Sequence, residues 1–389
     1  MSISNAIVVG GGIGGLAAAA ALARKGVAVT LIEQSEKLRE VGAGLQISPN
    51  GMCVMRALGL GAALTQKAAV RGQAVVLRDY KAGKQVARLD LMRLKKGQEY
   101  YFLHRADLID VLAGAAKREN VTFEMGAQVA SIRQGALPQV QMADGSTRKA
   151  ELVVAADGIH SVARPVLNGP DEAAFTGQVA WRAIVPNTLN HPDEAHVTMG
   201  PGRHLVSYPV RNARLVNLVA VEERSDWAAE GWNHPDDPAH LRAAFSEFSG
   251  DAKALLALVD NVSLWGLHRH PVAANWGARG VALLGDAAHP TLPFLAQGAN
   301  MALEDAWVLA DTVMRRGAAG IAEYQQRRHA RVTRVINAAN GNAWRYHLRP
   351  SPMRSAAHLG LRLGSALLPG RMIGAYDWLY GMDVTAQPK

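Results

Sequence analysis

Residues 6–33 read AIVVGGGIGGLAAAAALARKGVAVTLIE, and this stretch decides the fold. The apolar run Ala6–Val9 predicts a short buried strand, the alanines that follow predict a helix ending near Lys25, and Val27–Ile32 predicts a second strand. Between the first strand and the helix lies a GxGxxG pattern, formed by Gly10, Gly12 and Gly15. A strand, glycine-rich turn, helix and second strand in this order are typical of a dinucleotide-binding fold.

Each position of the pattern has a physical reason. Gly10 permits the tight turn, Gly12 lets the backbone approach a pyrophosphate, and Gly15 allows close contact between helix and strand. Glu33 ends the second strand, 23 residues after Gly10, which is near the spacing at which an acid accepts ribose hydroxyls. The alternative, a glycine-rich turn without a nucleotide, leaves the acid and the second strand unexplained.

A second informative stretch lies at residues 283–306, LLGDAAHPTLPFLAQGANMALEDA. It begins in the apolar run Val281–Leu284, which predicts a buried strand, and continues into Gly285 and Asp286. After a proline-broken loop, a helix is predicted to begin around Gly298, Ala299 and Asn300. Helix starts attract anions, so the segment suits a phosphate-bearing, polyhydroxylated ligand. A simple strand-ending turn is the alternative.

Two further polar residues stand at the ends of predicted elements. Asp157 follows the predicted strand Glu151–Ala155 and precedes a turn that contains Arg164. It is either a ligand-site carboxylate or an N-cap of that turn. Arg105 stands just before an apolar-periodic helix, and its alternative is an ordinary surface arginine.

Composition sets bounds on the rest. A chain of 389 residues, 49% hydrophobic and 19% charged, is that of an ordinary globular protein, and its length predicts two domains. The lone Cys53 excludes an internal disulfide framework and a cysteine metal cluster, and no metal site is predicted. The net charge of +9 favours anionic ligands. Residues 6–23 lack a basic leader and are interpreted as part of the fold, not as a signal peptide.

The motifs GxGxxG, Asp157-Gly158 and Gly285-Asp286 together resemble the three fingerprints of the single-component FAD-dependent aromatic hydroxylases. The resemblance runs from Ile7 to Val384, essentially the whole chain. Within that family the chain is similar to the group of salicylate hydroxylase, 3-hydroxybenzoate 6-hydroxylase and 6-hydroxynicotinate 3-monooxygenase. The stretches similar to that group are REVGAG at 39–44, His104-Arg105 and YGMDV at 380–384.

The resemblance implies an α/β fold with a Rossmann-type, GR2-like FAD-binding domain, an inserted and mostly antiparallel β-sheet substrate domain, and a C-terminal helical region. The FAD-binding domain is expected at residues 1–73, 100–170 and 277–320. The substrate domain is expected at 74–99 and 171–276, where strands alternate, and the helical region at 321–389. Pro165–Pro170 is predicted to be a linker.

The resemblance also implies the FAD contacts. Glu33 would hold the adenosine ribose, Asp286 the ribityl chain, and Val129 the adenine through its backbone. The other implied FAD contacts are those of Arg39 and Arg105 to the ribityl–pyrophosphate region, Asp157 through its turn, and Gly298, Ala299 and Asn300 along the isoalloxazine edge. FAD is expected to be non-covalent, because no histidine or cysteine stands in a family attachment position. NADH or NADPH is expected as a transient reductant, because a second GxGxxG unit is absent from the sequence.

The implied reaction is reduction of FAD by NAD(P)H, addition of O₂ to form a C4a-hydroperoxide, and hydroxylation of an electron-rich aromatic carboxylate of the hydroxybenzoate or hydroxynicotinate type. Three alternatives stay open: a larger polycyclic or quinone-type substrate, an FAD-dependent oxidoreductase without oxygen insertion, and a non-catalytic FAD-binding module. The retained loop prolines and the residues described next favour catalysis.

The sharpest catalytic candidates are His204 and Tyr208, which share one face of a predicted strand because side chains alternate along it. Together they are suited to hold or deprotonate a substrate hydroxyl; the alternative is that both are satisfied sheet residues. Gln46 is a candidate hydrogen-bond donor, at a position where the 6-hydroxynicotinate enzyme has a histidine. Pro293 is expected beside the substrate, and Arg182 is either a carboxylate partner or a structural ion-pair residue.

Partners follow from the same reasoning. A small aromatic substrate is expected, and no nucleic acid, no stable membrane association and a cytoplasmic monomer or homodimer are predicted. Helical spacing places Arg327, Arg331 and Arg334 on one face of a basic C-terminal helix. A solvated helix face is the favoured interpretation of these arginines, against a membrane or nucleic-acid surface.

Overall fold

The computed structural model describes residues 3–38, 43–170, 172–224, 226 and 234–386. Strands and helices alternate along most of the chain, and helices alone follow the last strand. The strands are β1 (Asn5–Val9), β2 (Ala28–Glu33), β3 (Gly44–Ile47), β4 (Val70–Arg71), β5 (Ala74–Asp79), β6 (Gln85–Asp90), β7 (Tyr101–His104), β8 (Thr122–Met125), β9 (Val129–Arg133), β10 (Gln139–Met142), β11 (Thr147–Lys149), β12 (Leu152–Ala155), β13 (Ala174–Pro186), β14 (Glu194–Gly200), β15 (Arg203–Val210), β16 (Leu215–Glu223), β17 (His234–Asp236), β18 (Val262–Arg269), β19 (Gly277–Ala278) and β20 (Val281–Leu283). The helices are α1 (Ile13–Ala23), α2 (Pro49–Ala57), α3 (Gly61–Gln66), α4 (Arg105–Arg118), α5 (Arg164–Asn168), α6 (Pro238–Ala244), α7 (Gly250–Ala257), α8 (Gly298–Arg316), α9 (Gly320–Tyr346), α10 (Pro352–Leu367), α11 (Pro369–Gly374) and α12 (Asp377–Tyr380).

A six-stranded sheet in the order β19-β20-β12-β1-β2-β8 carries the sequence motifs. All of its neighbouring strands are parallel except the β19–β20 pair. The central strands β1, β12 and β20 are almost wholly apolar and buried, which is the composition expected of parallel strands covered on both faces. Their registers pair Val9 with Ala155, and Ala155 with Leu283. The three motifs therefore follow the carboxyl ends of neighbouring strands and lie together at one edge of the sheet. Ligands bind at this edge in open α/β sheets.

An eight-stranded sheet in the order β17-β18-β13-β16-β15-β14-β5-β6 faces this edge. Its neighbouring strands are antiparallel except for the β14–β5 pair. This arrangement agrees with the mostly antiparallel substrate sheet that the sequence predicts. On one side a cluster that includes Trp181, Phe245 and Phe248 joins the sheet to α6 and α7. On the other side Val221 and Trp265 pack with the loop that follows β20. The predicted fold class is confirmed, whereas the domain boundaries stay a prediction.

One local prediction was wrong. The supposed linker at Pro165–Pro170 lies largely within helix α5, because the buried Arg164 side chain donates to the carbonyls of Pro271, Ala287 and Ala288 and anchors the segment.

The solvated-face interpretation of the basic C-terminal helix is also wrong for Arg331 and Arg327, whereas Arg334 is exposed. Arg331 on α9 has only 8% of its side chain exposed and bonds the fully buried Glu304 at 2.8 Å. Arg327 pairs with Asp311 at 2.9 Å, and the Arg334 guanidinium lies 4.1 Å from the centre of the Trp378 ring. These arginines join α9 to the body of the protein. Among the described residues, no helix is long and apolar enough to cross a membrane.

Candidate active site

A cavity of about 380 Å³ lies between the carboxyl edge of the parallel sheet and the inner face of the eight-stranded sheet. Its volume is within the range of small-molecule and cofactor sites. This cavity is lined by most of the predicted site residues. They are Gly12, Gln46, Arg105, Arg182, His204, Tyr208, Asp286, Pro293, Gly298 and Ala299. The fold thus collects residues that are up to 287 positions apart in the sequence.

The glycine-rich turn has the geometry of a phosphate cradle. Gly10 has φ +102° and approaches Ala156 so closely that a Cβ there would lie 2.4 Å from the carbonyl oxygen. A Cβ on Gly15 would lie 2.0 Å from the Gly10 oxygen, so the helix can approach the strand only without a side chain. Gly12, by contrast, has nothing within 4 Å of a Cβ position. Open space therefore lies beside the first turn of α1, where unpaired N–H groups attract anions.

Glu33, the last residue of β2, contacts the glycine-rich turn through its side chain. Its carboxylate accepts hydrogen bonds from the Gly11 N–H at 2.7 Å and the Ser35 N–H at 2.8 Å. A carboxylate has about four acceptor positions, so the side chain retains capacity for ligand hydroxyls while its orientation is held by the backbone.

Asp286 and Arg105 are two opposite charges at the cavity wall. Burial raises the pKa of Asp286, and the nearby His289 and Arg105 act against that rise. Burial likewise lowers the pKa of Arg105, which the Asp286 charge counteracts. Each charge thus favours the ionised form of the other.

The start of α8 supplies backbone N–H groups to the same cavity through Gly298 and Ala299. Asn300, the next residue, does not have its side chain at the cavity. Its amide accepts from the Ser48 N–H at 3.0 Å and donates to the Gln46 carbonyl at 3.0 Å. Asn300 therefore clamps strand β3 to the helix start and positions Gln46 within the cavity wall.

Three further predicted cofactor residues, Asp157, Val129 and Arg39, also lie away from the cavity lining or outside the described residues. Asp157 accepts from the Val162 N–H at 2.9 Å through one oxygen, while its other oxygen is buried without a hydrogen-bond partner among the residues described. Burial raises the Asp157 pKa. Val129 pairs with Met142 in the small sheet β11-β10-β9. Arg39 falls in the gap at 39–42 and lies outside the described residues.

His204 and Tyr208 both face the cavity, with Val206 between them on β15. The His204 ring is 2% exposed, and its Nδ1 lies 2.7 Å from Nε2 of His347. Burial, assisted by His347, holds the pKa of His204 well below its ordinary value, so the ring is neutral at pH 7. Burial raises the pKa of Tyr208, although Arg182 and Gln46 counteract it, so the phenol stays protonated.

Arg182 brings a positive charge to the apolar part of the cavity. Its guanidinium carbon lies 4.6 Å from the centre of the Trp265 ring. Burial and the nearby Arg105 lower the Arg182 pKa to about 10, and Tyr208 acts in the opposite direction. The group remains charged at neutral pH in a setting that favours an anionic ligand.

Sequence reasoning missed the aromatic and histidine residues that close the cavity. Tyr100 donates to Gln46 Oε1 at 2.7 Å. Three phenols of the C-terminal region, Tyr346, Tyr376 and Tyr380, complete the wall. Tyr380 stands in the 380–384 stretch that resembles the family, which was a usable signal. His347 has no local motif and is recognised only through its contact with His204.

Comparison with known proteins identifies the family. Residues 4–339 match the family described as FAD binding domain. A 3-amino-4-hydroxybenzoate 2-monooxygenase, PtnB3 of Streptomyces platensis, is 34% identical over 391 residues, covering 97% of this chain and 95% of that protein. The 3-hydroxybenzoate 6-hydroxylase of Polaromonas naphthalenivorans is 33% identical, covering 97% of this chain and 96% of that protein. The crystal structure of Klebsiella pneumoniae HpxO with FAD and uric acid has a TM-score of 0.85 at 27% identity, covering 96% of this chain and 95% of that one.

The chain belongs to the FAD binding domain family, and within it to the FAD-dependent aromatic hydroxylases. The geometry fits the cofactor of that family. The open space beside Gly12, the oriented Glu33 carboxylate, and the charges of Asp286 and Arg105 at the wall meet the needs of a pyrophosphate, a ribose and a ribityl chain.

Proposed function

We propose that this enzyme hydroxylates a small aromatic ring carrying both a hydroxyl group and a carboxylate, with NAD(P)H as reductant and O₂ as co-substrate. The observation that carries the proposal is that a buried cation, Arg182, and the face formed by His204 and Tyr208 line the same cavity as the cofactor-binding elements. The relatives named above act on hydroxybenzoates, which supports this substrate class.

The cofactor-binding roles are part of the proposal. Gly12 and the start of α1 would take the FAD pyrophosphate, Glu33 the adenosine ribose, and Asp286 with Arg105 the ribityl region. Gly298 and Ala299 would present N–H groups at the positive end of α8 to the flavin ring. Bound FAD supplies the transfer of electrons from NAD(P)H to O₂.

The protein's own residues then have distinct roles toward the substrate. Arg182 attracts the carboxylate and orients the ring. His204, neutral because it is buried, accepts the proton of the ring hydroxyl, and the protonated Tyr208 donates a hydrogen bond to the resulting oxygen. Removal of the proton raises the electron density of the ring at its ortho and para carbons, which are the positions that an electrophilic oxygen attacks.

The cavity wall restricts the ring's position and excludes water. Gln46, held by Tyr100 and by the Asn300 clamp on its backbone, offers a hydrogen bond beside Tyr208. Pro293 and the apolar side chains Leu292 and Phe294 border the same space. A dry cavity strengthens the charge interactions in it and protects reactive species from water.

A substrate panel tests the proposal. Purified enzyme is mixed with NADH or NADPH and with 3-hydroxybenzoate, 3-amino-4-hydroxybenzoate, 6-hydroxynicotinate, salicylate, uric acid or unsubstituted phenol. We expect at least one hydroxylated aromatic carboxylate to stimulate NAD(P)H oxidation and to yield a product with one added oxygen. Uric acid and phenol represent substrates without a carboxylate. The proposal fails if only they respond.

The Arg182→Gln variant tests the role of the carboxylate. A lost charge-assisted hydrogen bond costs about 1.5–3 kcal/mol, so KM for the carboxylate substrate should rise about 10- to 150-fold, with little change for phenol. The exposed arginine variant Arg214→Gln is the control. An equal loss on phenol and on the carboxylate would show that Arg182 is structural.

A further inference from the structure

A chain of three side chains leads from the cavity to the protein surface. His204 Nδ1 lies 2.7 Å from His347 Nε2, and His347 Nδ1 lies 2.9 Å from Glu223 Oε1. The two rings are 2% and 4% exposed, whereas the Glu223 side chain is 42% exposed. One end of the chain is therefore at the substrate cavity and the other is in contact with solvent.

The hydrogen-bond partners along this line determine which ring nitrogens of His204 and His347 carry a proton. An ionised carboxylate only accepts hydrogen bonds, so the Nδ1 of His347 carries a proton and donates to Glu223. The Nε2 of a neutral His347 is then an acceptor, and the Nδ1 of His204 must donate to it. The Nε2 of His204 is consequently unprotonated, which is the form that accepts a proton from a substrate hydroxyl.

We propose that His347 and Glu223 form a proton relay that carries the hydroxyl proton of the substrate from His204 to solvent. The proposal rests on the function proposed above. As the substrate O–H bond breaks, a new N–H bond forms at His204 Nε2, and the His204 Nδ1 proton moves to His347 Nε2. The His347 Nδ1 proton moves to the Glu223 carboxylate and from there to water. No electrons change hands, and reversal of the same shifts returns a proton to the product.

The surrounding contacts hold the relay in place. The Gly202 N–H donates to the His347 carbonyl at 3.1 Å, and the Glu223 N–H donates to the Gly202 carbonyl at 2.8 Å. The charged group that faces His347 from β15 is Arg203, which pairs with Glu222 at 3.4 Å. The rings of Tyr346 and Phe294 flank His204. These contacts hold the two rings and Glu223 at fixed positions relative to one another.

The same sheet contains a matched pair that does not reach the cavity. His196 is 3% exposed, and its Nε2 lies 3.0 Å from Glu194 Oε2. This second histidine–glutamate pair is on β14, beside the strand of His204, yet His196 is not among the cavity-lining residues. The variant His196→Gln thus reproduces the loss of a buried imidazole without interrupting the relay.

The experiment measures proton release rather than turnover. Oxidised, FAD-loaded enzyme is mixed rapidly with 3-hydroxybenzoate, or with another phenol from the panel, in weak buffer containing a pH indicator. Wild-type enzyme should form the bound phenolate and release the proton together. In Glu223→Gln and His347→Gln, proton release should slow about 10- to 100-fold, while Kd for the phenol changes less than about threefold. Added imidazole should partly restore the rate in Glu223→Gln.

The controls separate the possible results. His196→Gln should release protons at the wild-type rate, and FAD content with thermal melting verifies the fold of every variant. Because Glu223 is at the surface, Glu223→Gln decides the matter if His347→Gln does not fold. Wild-type release rates in the folded variants would overturn the relay alone. A wild-type enzyme that forms no phenolate with any phenol of the panel would overturn the proposed function and the relay together.

Discussion

Arg328 Nε donates to Asp305 Oδ1 at 2.7 Å, and both side chains are almost completely buried. The other oxygen of Asp305 lies 2.6 Å from His289 Nε2 and accepts from the Gly285 N–H at 3.3 Å. One aspartate therefore ties helix α9 and the turn of the Gly285-Asp286 motif to helix α8. Burial alone would raise the pKa of Asp305, but His289 and Arg328 outweigh it and the pKa is lowered.

Glu304, the preceding residue, extends this network toward β3. It bonds Arg328, accepts from Arg331 at 2.8 Å and accepts from the Asn50 amide at 2.6 Å. The Asn50 amide oxygen in turn accepts from Ser48 Oγ at 2.6 Å. The buried charges thus join α9, α8 and α2 directly behind the cavity wall.

Replacing Arg328 should be strongly destabilising. Arg328→Met leaves two buried carboxylates with reduced compensation, and removal of one partner of a buried pair typically costs 3–5 kcal/mol. Urea unfolding of the FAD-loaded enzyme measures the change in the free energy of unfolding. The control is Arg327→Met, whose partly exposed pair with Asp311 should cost only about 0–1 kcal/mol. Equal effects of the two substitutions would contradict this account.

The nucleotide-binding part of the fold was predictable because its requirements are local. A tight turn, a close helix–strand approach and a strand-ending acid each demand one residue type at one spacing. Gly10, Gly15 and Glu33 satisfy those demands within a stretch of 28 residues. The face shared by His204 and Tyr208 follows equally simply from the period of two in a strand.

The buried network could not be predicted in this way. Glu304 and Asp305 stand on a helix whose sequence also contains apolar residues, and an acidic pair there resembles a solvated helix face. Their burial depends on Arg328, which is 24 positions beyond Glu304 and on another helix. The position of His347 likewise depends on the path of α9 past β15 and β16, and no local pattern encodes that path.

Two alanine substitutions in the glycine pattern should have different effects, one on stability and the other on FAD binding. Gly15→Ala places a Cβ 2.0 Å from a backbone oxygen, so the free energy of unfolding should fall by about 1–3 kcal/mol or more. Gly12 has an extended backbone and an open Cβ position, so Gly12→Ala should change stability by less than about 0.5 kcal/mol. Its methyl group would nevertheless occupy the proposed pyrophosphate space and lower FAD content. Thermal melting and flavin absorbance distinguish the two, and full flavin occupancy in Gly12→Ala would contradict the assignment.

Removing the Asp286 side chain should weaken FAD binding. Asp286→Ala deletes the proposed ribityl contact and leaves the Arg105 charge less well compensated, which should cost about 1–3 kcal/mol of binding free energy. The Kd for FAD, measured by flavin fluorescence on titration of apoprotein, should rise about 5- to 150-fold. The exposed aspartate variant Asp144→Ala serves as the control. Because FAD is expected to be non-covalent, acid precipitation of the wild-type enzyme should release all of its flavin.

Acid stability should depend on His196. Burial, with His191 and Arg78, lowers the His196 pKa to about 4, below the unfolded value near 6.5. Between these values the unfolded chain binds a proton that the native protein excludes, so stability falls as pH decreases from about 6.5 to 4. Glutamine does not titrate, so His196→Gln should lose less stability across this window, by at most about 3 kcal/mol. Urea unfolding at pH 7, 5.5 and 4.5 measures the free energy of unfolding of both proteins. An equal fall in this free energy with pH in the wild type and in His196→Gln would contradict the prediction.

The roles proposed for His204 and Tyr208 predict a specific defect in coupling. His204→Gln removes the proton acceptor and Tyr208→Phe removes the donor to the substrate oxygen, so the ring is a poorer nucleophile in both variants. Neither residue is among those proposed to hold FAD, so flavin content and NAD(P)H consumption should persist. A lost general base typically slows the step that it serves by about 10²–10⁴-fold, so most of the oxygen consumed should appear as H₂O₂ rather than as hydroxylated product. Oxygen uptake with and without catalase, together with product chromatography, measures this ratio, and His196→Gln should couple as the wild-type enzyme does. Wild-type coupling in both variants would show that His204 and Tyr208 are satisfied sheet residues, and Gln46 and Arg182 would then be the next groups to test.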